Sequence, residues 1–211
     1  MKKLFVLAAT LLIAATASAQ IVSSSSRSIL IDDTPVQKSF YAYFKAGVAI
    51  NSFNVSGAAK GAVTSNIGYG WSYGFQSYFG PKGLYWGMEF GMGTRGGNIK
   101  TADYNLLTHN FKVVPFQLGF NFEIVDRLAL DIHVGVPLSL DYAGSYKSKG
   151  TSYSISGDKS LKRFDVAVAP GITLWYDSLG IDFIYQLGLI SMTSDISVMS
   201  RVMLIGLAYR F

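Results

Sequence analysis

Catalysis by this 211-residue chain would have to turn on His133, one of only two histidines, which stands two positions after Asp131 and in the same segment as Asp141. In an extended strand, side chains at i and i+2 share a face, so Asp131 and His133 are same-face neighbours and a hydrolase reading arises. The nucleophile is what fails. Position 135 is Gly135, and the one hydroxyl on that face, Ser139, lies well along the strand, beyond hydrogen-bond reach. A lipid hydrolase working through His133 is therefore a secondary reading, and a histidine within a buried polar network is the primary one. With His109 as the only other histidine and no cysteine, no metal set is formed. Gly91, Gly93, Gly96 and Gly97 have the look of a nucleotide-binding loop, but they end a strand with no helix after it. No catalytic, cofactor or metal site is expected.

The charged residues make sense only through the elements that carry them. Lys45, Glu89, Arg95, Lys112, Glu123, Asp131, Asp165, Asp182 and Arg210, together with His133, all project to one side of segments that alternate with a period of two. The clearest segment is 67–80, where Ile67, Tyr69, Trp71, Tyr73 and Phe75 alternate with Gly68, Gly70, Ser72, Gly74 and Gln76. A turn at 80–83 leads into a second such run from Leu84. Others lie near 41–53, 109–123, 128–142, 163–176 and 180–190, and the last ends the chain at Phe211. Pro115 cannot donate to a ladder and predicts a bulge. The joins near 80–83, 124–127 and 177–179 are short; those near 54–66, 94–108, 143–161 and 191–199 are longer.

Alternation alone fits both a soluble and a membrane barrel, so the two faces must be compared. The polar face is mostly Gly, Ala and Ser with scattered charges, too small and too sparsely charged to coat a soluble exterior. The other face carries Leu, Phe, Val and Ile, with rings near segment ends at Tyr41, Tyr43, Tyr85, Trp86, Trp175, Tyr176 and Tyr209, placed as an interfacial belt. Each segment exceeds the roughly 9–11 residues a tilted spanning strand needs. The expected fold is all-β: an eight-stranded antiparallel up-and-down transmembrane β-barrel over 40–211.

The chain's beginning supplies the address. Residues 1–19 have the parts of a signal peptide: Lys2 and Lys3, an apolar run from Leu4 to Ala15, and Ala17-Ser18-Ala19 before Gln20. Cleavage there, export and a bacterial outer-membrane destination are expected. Residues 20–39, with Ser23 to Ser26, Asp32, Asp33 and Pro35, read as a flexible periplasmic leader. The formal charge of +5, two units of it from Lys2 and Lys3, is too small to imply nucleic acid.

With its signal peptide, glycine-rich strands and the alternating ending Met203, Ile205, Leu207, Tyr209 and Phe211, the sequence resembles the small outer-membrane β-barrels of the OmpX-like and PorT-like kind, of Bacteroidota type. The resemblance covers nearly the whole mature chain. It implies that Tyr209 and Phe211 belong to the assembly signal read by the outer-membrane assembly machinery, and that a structural, secretion-accessory or other envelope interaction role is open. A lumen this narrow should be plugged by its paired charges. The alternative is a narrow path for ions or small solutes. Lys147, Lys149, Lys159 and Tyr142, Tyr146 and Tyr153 could touch lipopolysaccharide or an envelope protein, or belong to a solvated mobile loop.

Overall fold

The computed structural model describes residues 40–55, 63–79, 83–100, 103–148, 150–155, 161–193 and 197–211. The expected signal peptide and leader, the 80–82 part of the first turn, and Lys149 and Lys159 lie outside them. Eleven strands follow in order: β1 (Phe40–Val55), β2 (Val63–Thr64), β3 (Asn66–Tyr78), β4 (Leu84–Ile99), β5 (Tyr104–Val125), β6 (Leu128–Gly135), β7 (Leu138–Ser148), β8 (Thr151–Ser154), β9 (Phe164–Tyr176), β10 (Leu179–Ser191) and β11 (Val198–Arg210). The pairing runs β4, β3, β1, β11, β10, β9, β6, β5 and returns from β5 to β4, so the sheet closes on itself. Every described register is antiparallel. Closure leaves the main strands without a free edge.

The difference between eleven segments and the expected eight has local causes. Only Ser65 separates β2 from β3, and β8 pairs with β7 alone. The expected continuous strand at 128–142 is broken at Val136 and Pro137, yet β6 and β7 both pair with β5 on one side and β9 on the other. Pro137 has no N–H to donate, while its carbonyl accepts from Ala167 N (3.0 Å). At Pro115 the β4–β5 register shifts between Gly87 and Glu89, so that Met88 alone faces Pro115 and Phe116, which is a bulge.

Two connections are shorter than expected. The segment 94–108 is mostly strand, since β4 runs to Ile99 and β5 starts at Tyr104. Much of 143–161 is a hairpin, with Ser145 to Ser148 of β7 paired to Thr151 to Ser154 of β8. At the opposite end the turns are tight: Asp126-Arg127 joins β5 to β6 and Asp177-Ser178 joins β9 to β10, with Arg127 and Asp177 at positive φ (70° and 51°).

Burial then decides which face is wet. On β9, Asp165, Ala167, Ala169, Gly171, Thr173 and Trp175 are buried, and Phe164, Ile172, Leu174 and Tyr176 between them are exposed. The inversion runs around the sheet. Lys45, Glu89, Arg95, Asp131, Asp141, Asp165 and Asp182 are buried, whereas Val48, Phe111, Ile132, Leu140, Ile181 and Leu207 are exposed. A water-soluble protein hides the second kind of residue and exposes the first, so this exterior is built for lipid.

Candidate functional site in the barrel lumen

Inward-facing side chains from all the main strands fill the interior in layers. Nearest the tight turns, Tyr43, Tyr85 and Trp175 are completely buried. This corrects the expectation that they form part of the outer belt. Their positions fall on the polar side of the alternation, and glycines opposite make room for them: a Cβ at Gly74 would strike the Tyr43 ring, one at Gly119 the Tyr85 ring and one at Gly180 the Trp175 ring. Arg210 closes this mouth, with its guanidinium 4.9 Å from the Trp175 ring centroid and 5.2 Å from that of Tyr41. Its Nε donates to the Asp177 carbonyl (2.8 Å).

The next layer holds the first group of charges. Lys45 Nζ lies 3.0 Å from Asp182 and 3.3 Å from Glu89. Tyr43 donates its hydroxyl to Glu89 (2.8 Å) and Thr173 donates to Asp182 (2.6 Å). Asp131 takes the Tyr85 hydroxyl at 2.7 Å, the Gln76 amide at 3.1 Å and His133 Nδ1 at 2.9 Å. Above it, Ala49, Ala169, Ile184, Val202 and Leu204 make a small apolar layer.

A second charge layer is organised by Arg95. Its Nε and Nη2 fork onto Asp141 (2.9 and 2.8 Å), and Nη1 lies 2.9 Å from Asp165, which also accepts the Ser200 hydroxyl (2.6 Å). The same Nη2 donates to the carbonyls of Lys162 and Arg163 (3.2 Å each), tying the chain entering β9 to the lumen. An apolar cap follows at the far end, made of Phe53, Val55, Ile99, Leu106, Ile155, Met192 and Val198, with Tyr104 and Tyr146 packed against it. Burying ions is costly unless each is paired and further hydrogen-bonded. Here the buried acids each meet two or more donors or cationic groups.

Of the residues expected to form the lumen network, Lys45, Glu89, Arg95, Asp131, His133, Asp165 and Asp182 are gathered inside. Lys112 points inward, half-buried, and no carboxylate lies within ion-pair distance of it among the described residues. Glu123 is corrected: it shares the inward parity but lies next to the Asp126-Arg127 turn, past the end of the filled interior, and is exposed. Arg210 is at the mouth rather than within the network. The sequence reading omitted Asp141 from the set, and Tyr43, Tyr85, Gln76, Thr173 and Ser200 as partners. Strand parity with the charged positions was the signal available for them.

His133 has the orientation of a general base, with Nδ1 held by Asp131. Its Nε2 is buried against Gly171 with no hydrogen-bond partner among the described residues, and the residue also lines an internal space of about 10 Å³ with Glu89, Lys112, Gln117 and Gln186 among others, with no Ser, Thr or Cys on that lining. At the chain's end, Tyr209 and Phe211 are exposed on the outer face with ring centroids 5.0 Å apart. Phe211 N donates to Ala42 O (2.9 Å), and Tyr209 pairs with Phe44, so the last strand is stitched to the first.

A closed antiparallel sheet with a filled polar interior and an apolar exterior defines a membrane β-barrel. The chain belongs to the outer membrane protein beta-barrel domain family, whose model matches residues 19–194. No curated protein matches it significantly in sequence. Among solved structures it is similar to Ail, the attachment invasion locus protein of Yersinia pestis, at 17% identity over 81% of this chain and 98% of that one (TM-score 0.43). It is also similar to Neisserial surface protein A, at 13% identity over 82% and 98% (TM-score 0.47), and to the N-terminal β-barrel domain of Pseudomonas aeruginosa OprF, at 10% over 79% and 97% (TM-score 0.35).

Proposed function

We propose that the protein is a non-enzymatic, plugged barrel of eight membrane-crossing staves, with a structural or interaction role in the outer membrane. In this reading β2 with β3 and β6 with β7 each make one stave, and β8 is an extension beyond the bilayer. The observation that carries the reading is the filling of the lumen. Aromatic rings and Arg210 close one mouth, an apolar cap closes the other, and two internal spaces found between them among the described residues measure only about 30 and 10 Å³. Such spaces hold roughly one or two waters, not a conducting column. Among the described residues His133 Nε2 is buried against Gly171 with no hydroxyl or thiol beside it, which supports a histidine within the lumen network over hydrolysis.

The side with the longer connections favours interaction. Strand β5 has 22 residues, about twice what a crossing needs, and β4 has 16. Their ends, with β7 and β8, continue as sheet over the apolar cap, which gives an envelope protein or lipopolysaccharide a firm surface to meet. A secretion-accessory role is one form of this reading. The purified barrel in planar bilayers should give no discrete conductance across a range of voltage; reproducible unitary steps would instead support the narrow channel.

The N-terminal reading is part of the same proposal: export, removal of residues 1–19 and a periplasmic leader at 20–39 before the barrel. Intact mass measurement on protein taken from outer membranes should give a chain beginning at Gln20. A chain retaining Met1 would reject cleavage while leaving the barrel reading intact.

A further inference from the structure

We propose that the outer wall carries a site for the phosphate of one outer-leaflet lipid, at the seam where the last strand closes against the first, with Arg201 as its anchor. The inference rests on the reading of the apolar exterior as lipid-facing. Of the charged side chains in the described strands, only Arg201 and Lys147 take the outward parity; both are cations, and both stand on the side of the longer connections. Arg201 makes no hydrogen bond or ion pair among the described residues, and its Nε is shut off from solvent without an acceptor. A buried N–H left unpaired costs free energy and marks a place where a further group completes it.

Position along the strand selects the group. From Arg201 to Tyr209 the strand runs about 26 Å, roughly 20 Å of it across a bilayer at the tilt of a barrel, so Arg201 stands near the far edge of the apolar band. Below it, toward the tight turns, Met203 and Ile205 pair with Ile50 and Val48 on β1 and with Tyr185 and Phe183 on β10, an outward strip for acyl chains. Ser52 is the cross-strand partner of Arg201, and Asn54 stands opposite Met199; both face outward, half-buried, with no other side chain engaging them among the described residues. No carboxylate faces outward from the described strands, and Asp165, linked to Ser200 through the wall, is held by Arg95. An amphiphile with an anionic head fits this order of groups: chains on the strip, phosphate oxygens on the guanidinium fork and on the Ser52 and Asn54 donors. An acidic protein segment would have to lie on the apolar strip to reach the same fork. The bound phosphate bridges β11 to β1 and ties the closing seam from outside.

Lipid A and the same lipid stripped of its phosphates by a phosphatase are the probes, titrated into the full barrel in a phosphate-free nonionic detergent and read by native mass spectrometry. The phosphorylated form should bind at least about tenfold more tightly, a factor worth about 1.4 kcal/mol. That preference should vanish in Arg201→Gln and survive in Lys147→Gln. Equal binding of the two lipids by the wild-type barrel overturns the site, as does a loss in Lys147→Gln as large as that in Arg201→Gln. Insertion is scored separately: a barrel that fails to enter vesicles of zwitterionic lipid loses the lipid-facing reading and the site with it, whereas one that inserts and shows no preference loses the site alone. The comparison of the two lipids uses the wild-type chain, so the test stands even where a variant fails to fold.

Discussion

Replacing Arg95 by methionine is expected to cost about 3–5 kcal/mol of barrel stability, the range for removing one partner from a buried ion cluster. The side chain is 1% exposed and reaches Asp141 on β7 and Asp165 on β9 from its own place on β4, with Ser200 on β11 joined through Asp165. Methionine keeps much of the bulk and none of the charge. Two carboxylates are then left in the interior with only neutral hydroxyl donors, Thr108 for Asp141 and Ser200 for Asp165. The measurement is the urea midpoint of unfolding from lipid vesicles, read by Trp fluorescence and by the heat-sensitive shift on gels. A midpoint equal to wild type would mean that the cluster is not the clamp on the outer half of the barrel. Glu123→Gln, at an exposed position, should move the midpoint by less than about 0.5 kcal/mol and serves as the control.

The same physics makes a second, compensated variant informative. Removing Asp141 and Asp165 along with Arg95, as Arg95→Met with Asp141→Leu and Asp165→Leu, takes away the desolvation cost together with the attraction. Replacing a whole buried ion cluster by apolar groups is often neutral or stabilising. The triple variant should therefore recover most of what Arg95→Met loses. Failure to recover would point to the hydrogen bonds from Arg95 to the Lys162 and Arg163 carbonyls, which no methionine replaces, as the larger contribution.

Much of this arrangement was legible in the sequence because a strand's period of two is rigid. Once Lys45, Asp131 and Asp182 are placed on one face, their neighbours Phe44, Ile132 and Ile181 must go to the other, and burial follows that division. What parity does not carry is where along the barrel a side chain stops being interior. Glu123 has the right parity and lies past the filled zone, whereas Tyr43, Tyr85 and Trp175 have the inward parity and were assigned to the belt for being aromatic and near segment ends. The glycines opposite them were visible in the sequence, but knowing that Gly74 faces Tyr43 and Gly119 faces Tyr85 requires the cross-strand register. The strand breaks were missed for another reason. Val136-Pro137 interrupts the ladder without moving the chain out of the wall, so the hydrophobic pattern passes over it unchanged. The extension of β4, β5 and β7 beyond the expected segments was hidden by polar sequence. Thr, Asn, Gly and Ser there look like loop residues, and they form sheet because the apolar cap of Phe53, Leu106 and Val198 gives that sheet something to cover.

The division of faces has its most direct test one residue away from the lumen network. Ile132 is 46% exposed and lies about half-way along the crossing part of its stave, paired with Phe120 on β5 and Ile172 on β9. Ile132→Arg should cost about 2–4 kcal/mol in a bilayer, the range for a cation on the lipid face of a barrel near the midplane. The guanidinium there has no carboxylate on the same face of the paired strands: its cross-strand neighbours are Phe120 and Ile172, and Asp131 beside it points the other way. Were the same exposed isoleucine facing water, its exchange for arginine would be neutral or would improve solubility. The sign of the change, measured as the urea midpoint from vesicles, thus separates a lipid-facing from a water-facing exterior without any knowledge of function. Moving the same substitution to Leu179, next to the Asp177-Ser178 turn and 62% exposed, should reduce the cost to at most about 1 kcal/mol, because a cation near the interface reaches water. A cost that did not fall between these positions would mean that the apolar exterior is covered by protein, not lipid, and would move the search for a partner from the loops to the barrel wall.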